Sequence, residues 1–134
     1  MGSDPLRVFM DRPEEVFEKI QQLLEKNSQY KFEAYSFILA ALHDTMKRIN
    51  PSRHITGREF CEGIRVYAID QFGPMARTVL EHWGIKSTLD FGHLVFILVE
   101  AGLMRKTEED SLDDFKDVYD FQKAFDSKSA FEAE

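Results

Sequence analysis

Apolar residues recur along this chain at helical spacing, in windows separated by short clusters of turn residues. From 13 to 26, Val16, Phe17, Ile20, Leu23 and Leu24 share one helix face. Pro13 suits the first helical position, and Glu14, Glu15 and Glu18 suit the positive end of the helix dipole. Asn27-Ser28 ends this element. From 31 to 49, Tyr35, Ile38, Leu42 and Ile49 form a second stripe, widened by Phe32, Leu39 and Met46, with Glu33, Ser36, Asp44 and Lys47 opposite. The two windows predict a helical hairpin over 13–50 with one shared apolar seam. Asn50-Pro51-Ser52 stops the second helix.

Thr56-Gly57-Arg58-Glu59 has the form of a capping box, and the helix it opens runs to about Phe72. Phe60, Ile64, Tyr67 and Ala68 line one face, while Val66 and Ile69 project from another. A helix apolar on two faces belongs between two layers, so this one is expected at the centre of the fold. Gly63 costs about 1 kcal/mol of helix propensity against Ala, which points to a close helix contact there. Gly73-Pro74 punctuates the chain, a short amphipathic helix carries Met75, Ala76, Val79, Leu80 and Trp83, and Gly84 closes it. Ser87 with Asp90 opens a further helix, which runs to Ala101 and stops at Gly102.

Beyond Gly102 the period changes. Residues 103–107 and 118–121 read as two strands around a polar, acidic loop, with Phe115 packing back beneath it. Residues 122–134 read as a partly frayed tail with room for one helical turn around Ala124 and Phe125. The expected architecture is mainly α. It is a single domain over 1–134, with the hairpin 13–50 packed on a three-helix unit that ends in a short C-terminal β-hairpin, 56–121.

That unit resembles a winged helix. The step Leu98-Val99-Glu100-Ala101-Gly102-Leu103-Met104-Arg105-Lys106 carries the likeness, being similar to the passage from recognition helix to wing in many winged-helix regulators. The resemblance implies DNA binding through helix 88–101, and the residues argue against it. A recognition helix needs Arg, Lys, Asn or Gln on its exposed face, and 88–101 has none of the four. The wing would carry Glu108, Glu109, Asp110, Asp113, Asp114, Asp117 and Asp120 against Lys116 alone, the wrong sign for phosphate. A second likeness covers nearly the whole chain. The run 56–76, Trp83-Gly84, Asp90-Phe91-Gly92, Val99 to Leu103, Asp113-Asp114-Phe115 and Tyr119-Asp120-Phe121 resemble an uncharacterised bacterial family known from planctomycetes, verrucomicrobia and related bacteria. It has no assigned activity and implies only a bacterial source.

Composition narrows the function classes. Of 134 residues, 43% are hydrophobic, enough for a core, and the formal net charge of −7 disfavours nucleic acid and anionic membranes as partners. Cys61 is the single cysteine, so no internal disulfide can form. With no signal-peptide pattern at the N-terminus and no apolar run long enough to span a bilayer, the expected location is the cytoplasm.

Candidate chemistry is sparse. Cys61 has Arg58 and Arg65 at helical spacing and lies near a helix N-terminus, both of which favour a thiolate. Against that stands a half-buried cysteine beside the core. His43, His54, His82 and His93 show no i, i+3 or i, i+4 pair to hold a metal, although His82 and His93 could meet across a helix pair. Asp110, Asp113, Asp114 and Asp117 are weak candidates for a hard cation, and a solvated loop is the default. Gln71 falls on the same face as Phe60, Ile64 and Tyr67. It reads either as a buried amide with a partner or as the edge of a small pocket with Arg65, Tyr67 and Cys61.

No metal and no cofactor is expected. The reading that best fits is a non-catalytic protein–protein interaction module, binding a partner or itself through Leu89, Phe96 and Ile97 of helix 88–101. A winged-helix DNA-binding regulator is the alternative, with Lys47, Arg48, Arg53 and Arg58 as the basic face it would need. A small-molecule-binding protein or enzyme using the 65–75 segment is third.

Overall fold

The computed structural model describes residues 13–49 and 53–125, and within them the apolar windows become helices almost at their expected limits. The order is α1 (Pro13–Lys26), α2 (Phe32–Arg48), α3 (Gly57–Phe72), α4 (Ala76–His82) and α5 (Thr88–Glu100), then a single closing turn, α6 (Phe121–Ala124). Short 3-10 turns lie at Gly73–Met75 and Leu112–Phe115. None of the described helices is long and apolar enough to cross a membrane.

The cap of α3 forms as its residues require. The Glu59 amide donates to Thr56 Oγ1 at 3.1 Å, and the Thr56 amide donates to Glu59 Oε1 at 3.0 Å. The helix then lies against α2 on one side and against α4, α5 and the 112–115 turn on others. It is the sandwiched element that its two apolar faces demand. Phe60, Cys61, Ile64 and Ala68 are wholly buried.

α2 is enclosed more completely than its stripe suggests. Phe37 and Thr45, outside the expected stripe, are buried with Tyr35, Ile38, Leu39 and Leu42. Phe37 anchors an aromatic cluster, with ring centroids 5.4 Å from Tyr67, 5.9 Å from Phe72 and 5.6 Å from Trp83. By contrast, Ile20 is the one buried residue of α1. Phe17 stays 47% exposed although its ring sits 5.1 Å from Phe32, so the hairpin seam is shallow at its outer end.

α2 and α3 meet at Thr45 and Gly63. A Cβ at position 63 would fall on the Thr45 hydroxyl and lie 2.6 Å from Thr45 Cγ2, a separation real atoms do not adopt. Glycine is required here for space, and the Thr45 hydroxyl turns inward to donate to Ala41 O at 2.7 Å.

No strand forms among the described residues, so the hairpin expected at 103–107 and 118–121 is corrected. Leu103 and Met104 are buried, but the chain after them turns at Thr107–Asp110 and coils at Leu112–Phe115. The cause is Phe115. Its ring is 1% exposed and fills a niche between two glycines. A Cβ on Gly92 of α5 would lie 2.8 Å from Phe115 Cγ, and one on Gly57 of α3 would lie 3.0 Å from Phe115 Cε2. Thr88 Oγ1 secures the segment by donating to Phe115 O at 2.6 Å and accepting the Val118 amide at 3.1 Å. The acidic segment therefore packs across α3 and α5. Phe121, expected in the returning strand, begins α6 and clusters with Phe91, Tyr119 and Phe125. The helical turn expected around Ala124 and Phe125 is present, while residues 126–134 of the expected frayed tail, residues 1–12 and the Asn50-Pro51-Ser52 stop lie outside the described residues.

Replacing Gly63 with Ala should destabilise the fold by about 1–3 kcal/mol through overpacking, even though Ala is the better helix former by about 1 kcal/mol. Adding Thr45→Ala should recover part of the loss. Urea denaturation of the two variants reads this directly, and a higher midpoint for Gly63→Ala alone would contradict the close crossing.

Candidate functional site

α5 is positioned by both of its ends. At the start, Asp90 Oδ2 accepts the Lys86 and Ser87 amides at 2.8 and 3.3 Å. Its other oxygen accepts the Tyr30 hydroxyl at 2.5 Å. Tyr30 is 2% exposed, and burial together with the Asp90 carboxylate pushes its phenol well above the usual range. At the far end, Lys19 Nζ donates to Ala101 O at 3.3 Å, joining α1 to the last carbonyls of α5, where the dipole favours a cation.

Between those ties Phe91, Leu94, Val95 and Leu98 are wholly buried. The opposite side carries Leu89, His93, Phe96, Ile97 and Glu100, which helical spacing gathers on one stripe. The three expected interface residues, Leu89, Phe96 and Ile97, thus lie on one side and are half-buried. Phe96 and Ile97 floor a cleft of about 290 Å³ with Gln29, His93, Glu100 and Leu112. Ile97 and Glu100 continue into a second cleft of about 260 Å³ against Lys19, Leu23 and Lys26 of α1. Lys106 Nζ stands 5.5 Å from the centre of the Phe96 ring, a cation over an aromatic face. His93 places Nδ1 3.5 Å from the Tyr30 hydroxyl and 3.9 Å from Asp90 Oδ1. It faces these two groups.

The residues expected at a 65–75 pocket do not converge. Cys61 is wholly buried. Arg65 pairs with Glu62 on its own helix at 3.2 Å. Tyr67 stacks on Phe37, and Gln71 is exposed, donating to Asp70 at 3.4 Å. At about 100° per residue, Cys61 and Arg65 face one way while Tyr67 and Gln71 face another. Gln71 escapes burial because it sits in the last turn of α3, past the packed part of its face. The thiol is the clearest reversal. Burial pushes Cys61 up to about 12, and the Arg58 charge only partly offsets it, so desolvation outweighs the neighbouring cation. The Cys61 carbonyl is engaged as well, accepting the Tyr119 hydroxyl at 2.7 Å.

The acidic loop is used in turn formation. Asp110, 8% exposed, accepts the Thr107 amide at 2.8 Å and the Thr107 hydroxyl at 3.0 Å, and pairs with His54 Nε2 at 3.3 Å. Asp114 Oδ2 accepts the Ser111 amide at 3.0 Å in a third capping box. Asp113 and Asp117 are exposed, and Asp117 holds a left-handed backbone, φ 51°. Among the described residues no three His, Cys, Asp or Glu side chains gather in a metal-holding group.

One feature beyond the expected sites is a cleft of about 430 Å³ between α2 and α3, centred on Thr45, Gly63 and Val66. Its sequence signals are Gly63 and the second apolar face of α3, which by themselves indicate only packing. No family model, curated protein or solved structure matches this chain.

The Cys61 environment sets an alkaline limit on stability. Below the ordinary thiol value of 9.0 both folded and unfolded chains hold the proton. Above it the unfolded chain ionises first, so this contribution is lost as pH rises from 9.0 through about 12. Tyr30 and Tyr119 shift in the same direction from 10.0. Unfolding free energy should fall across that window, less steeply at its lower end in Cys61→Ala. A thiol reagent should modify Cys61 only under unfolding conditions; rapid reaction of the folded protein at neutral pH would contradict this.

Proposed function

We propose that the protein is a non-catalytic protein-interaction module that binds through the open side of α5, with self-association as its first mode. The observation that carries this reading is the pair Phe96 and Ile97, which lie half-exposed on a helix whose other side is buried in the core and which floor two adjoining clefts. Apolar side chains in a shallow cleft with a polar border have the composition of an interface centre and rim. His93, Glu100, Gln29 and Lys106 supply that border. The residues expected at a 65–75 pocket lie apart, so they lend no support to the third reading, a small-molecule-binding protein or enzyme at that segment.

The α3–α4–α5 order supports a unit related to winged helices, with the packed segment 103–120 in the place of a wing. For DNA binding there is one favourable observation: Arg48 and Arg58 of the expected basic face line a common cleft. Asp44 and Glu59 offset it by pairing with Arg48 and Arg53, and the buried side of α5 is unavailable to a groove. A gel shift with random duplex at low salt should show no complex.

Sedimentation equilibrium tests the principal reading. The wild-type chain should associate reversibly, and Phe96→Asp with Ile97→Asp should weaken association by about 2 kcal/mol or more, roughly 30-fold. A wild-type chain that stays monomeric at high concentration would remove self-association, and equal association of the variant would remove this surface.

A further inference from the structure

The cleft between α2 and α3 shares no residue with the α5 face and has a different chemistry. Its floor is apolar, formed by Ile49 and Val66 beside the Thr45–Gly63 crossing. The crossing itself keeps this floor open, because the glycine contributes no side chain and Thr45 turns its hydroxyl back to Ala41. Val66, on the second apolar face of α3, is half-exposed here because no element of the described fold lies over it.

The rim is charged, and its charges are unequally satisfied. Arg48 pairs with Asp44 at 2.7 Å, Glu59 with Arg53 at 3.0 Å, and Glu62 with Arg65 at 3.2 Å. Each of these three rim side chains is neutralised by a partner. Arg58 is exposed and has no ion-pair partner among the described residues. An apolar floor therefore stands beside a guanidinium with which no carboxylate among the described residues pairs.

We infer that this cleft receives an acidic, amphipathic segment of a partner protein, with an apolar side chain on Ile49 and Val66 and a carboxylate on Arg58. The guanidinium presents a planar fork of donors that matches a carboxylate with two parallel hydrogen bonds. The apolar side chain supplies the contact area, and the ion pair fixes register and excludes basic segments. A phosphate backbone fits poorly, since it needs several cations along its length and Arg58 is the one cation of this lining without an ion-pair partner among the described residues.

Selection from a random peptide library displayed on phage reads the chemistry that the cleft accepts. On the wild-type protein, enriched peptides should place Asp or Glu within a few positions of a large apolar residue. On Arg58→Glu the acidic preference should vanish or give way to basic residues, and on Val66→Lys the enrichment should be lost. Both positions reach solvent, and circular dichroism of the variants confirms that they fold. A synthetic copy of the most enriched peptide should bind Arg58→Ala about tenfold or more weakly, more weakly also at high salt, and should bind the Phe96→Asp, Ile97→Asp protein as it binds wild type. No enrichment on wild type, or enriched peptides without acidic residues, would overturn the inference. So would acidic peptides that bind Arg58→Glu and Val66→Lys unchanged. A peptide lost only on the α5 variant would assign the binding to the other face and overturn it equally.

Discussion

The approach of α2 to α3 at Thr45 and Gly63 is the constraint from which the rest of the architecture follows. Two helices this close leave no space for a Cβ at position 63, and their crossing brings Phe37, Tyr35, Ile38 and Leu42 against Phe60, Ile64 and Ala68 in one buried cluster. Packing at that density is intolerant of small volume changes. It also leaves α3 with two sides for other elements. α4 and α5 take up part of that surface, while Val66 and Ile49 are left beside the crossing with no described element over them.

A second constraint redirects the C-terminal third. Phe115 needs burial, and Gly57 and Gly92 provide a niche between α3 and α5 that only a pair of residues without side chains can form. Once the ring is seated, Thr88 satisfies the carbonyl of Phe115 and the amide of Val118 together. A projecting hairpin is incompatible with that anchor. The acidic residues that would have lined its tip instead serve local turns, as Asp110, Asp114 and Asp120 each accept backbone amides close to them in the chain. Their negative charge thus has a structural use that depends on neither a cation nor a ligand.

These two constraints also decide which surfaces remain for a partner. The tie from Tyr30 to Asp90 and the contact from Lys19 to Ala101 hold the α1–α2 loop and α1 against α5. They cover its ends but leave Phe96 and Ile97 at the floor of the clefts between. The opposite case is Cys61, whose neighbours Arg58 and Arg65 suggest a reactive thiol. Full burial reverses that expectation, because removing a thiolate from water costs more than the Arg58 guanidinium returns.

Helix positions, the α3 cap and the central place of α3 were legible in the chain, since each depends on spacing or on residues three to four apart. The shortage of polar residues in 88–101 pointed to a helix largely withdrawn from water, but not to which of its sides the fold would cover. Other features were not legible, for one shared reason. The Phe115 niche, the loss of the hairpin, the exposure of Gln71 and the divergence of Cys61, Arg65, Tyr67 and Gln71 depend on contacts between residues far apart in the sequence or on where a helix passes out of the core. Gly63 shows the boundary most clearly. By itself the sequence determined that two helices should meet closely there. Only the tertiary structure decided that Thr45 is the partner, because which side chain fills the space above a glycine is set by the crossing of two helices and not by either one.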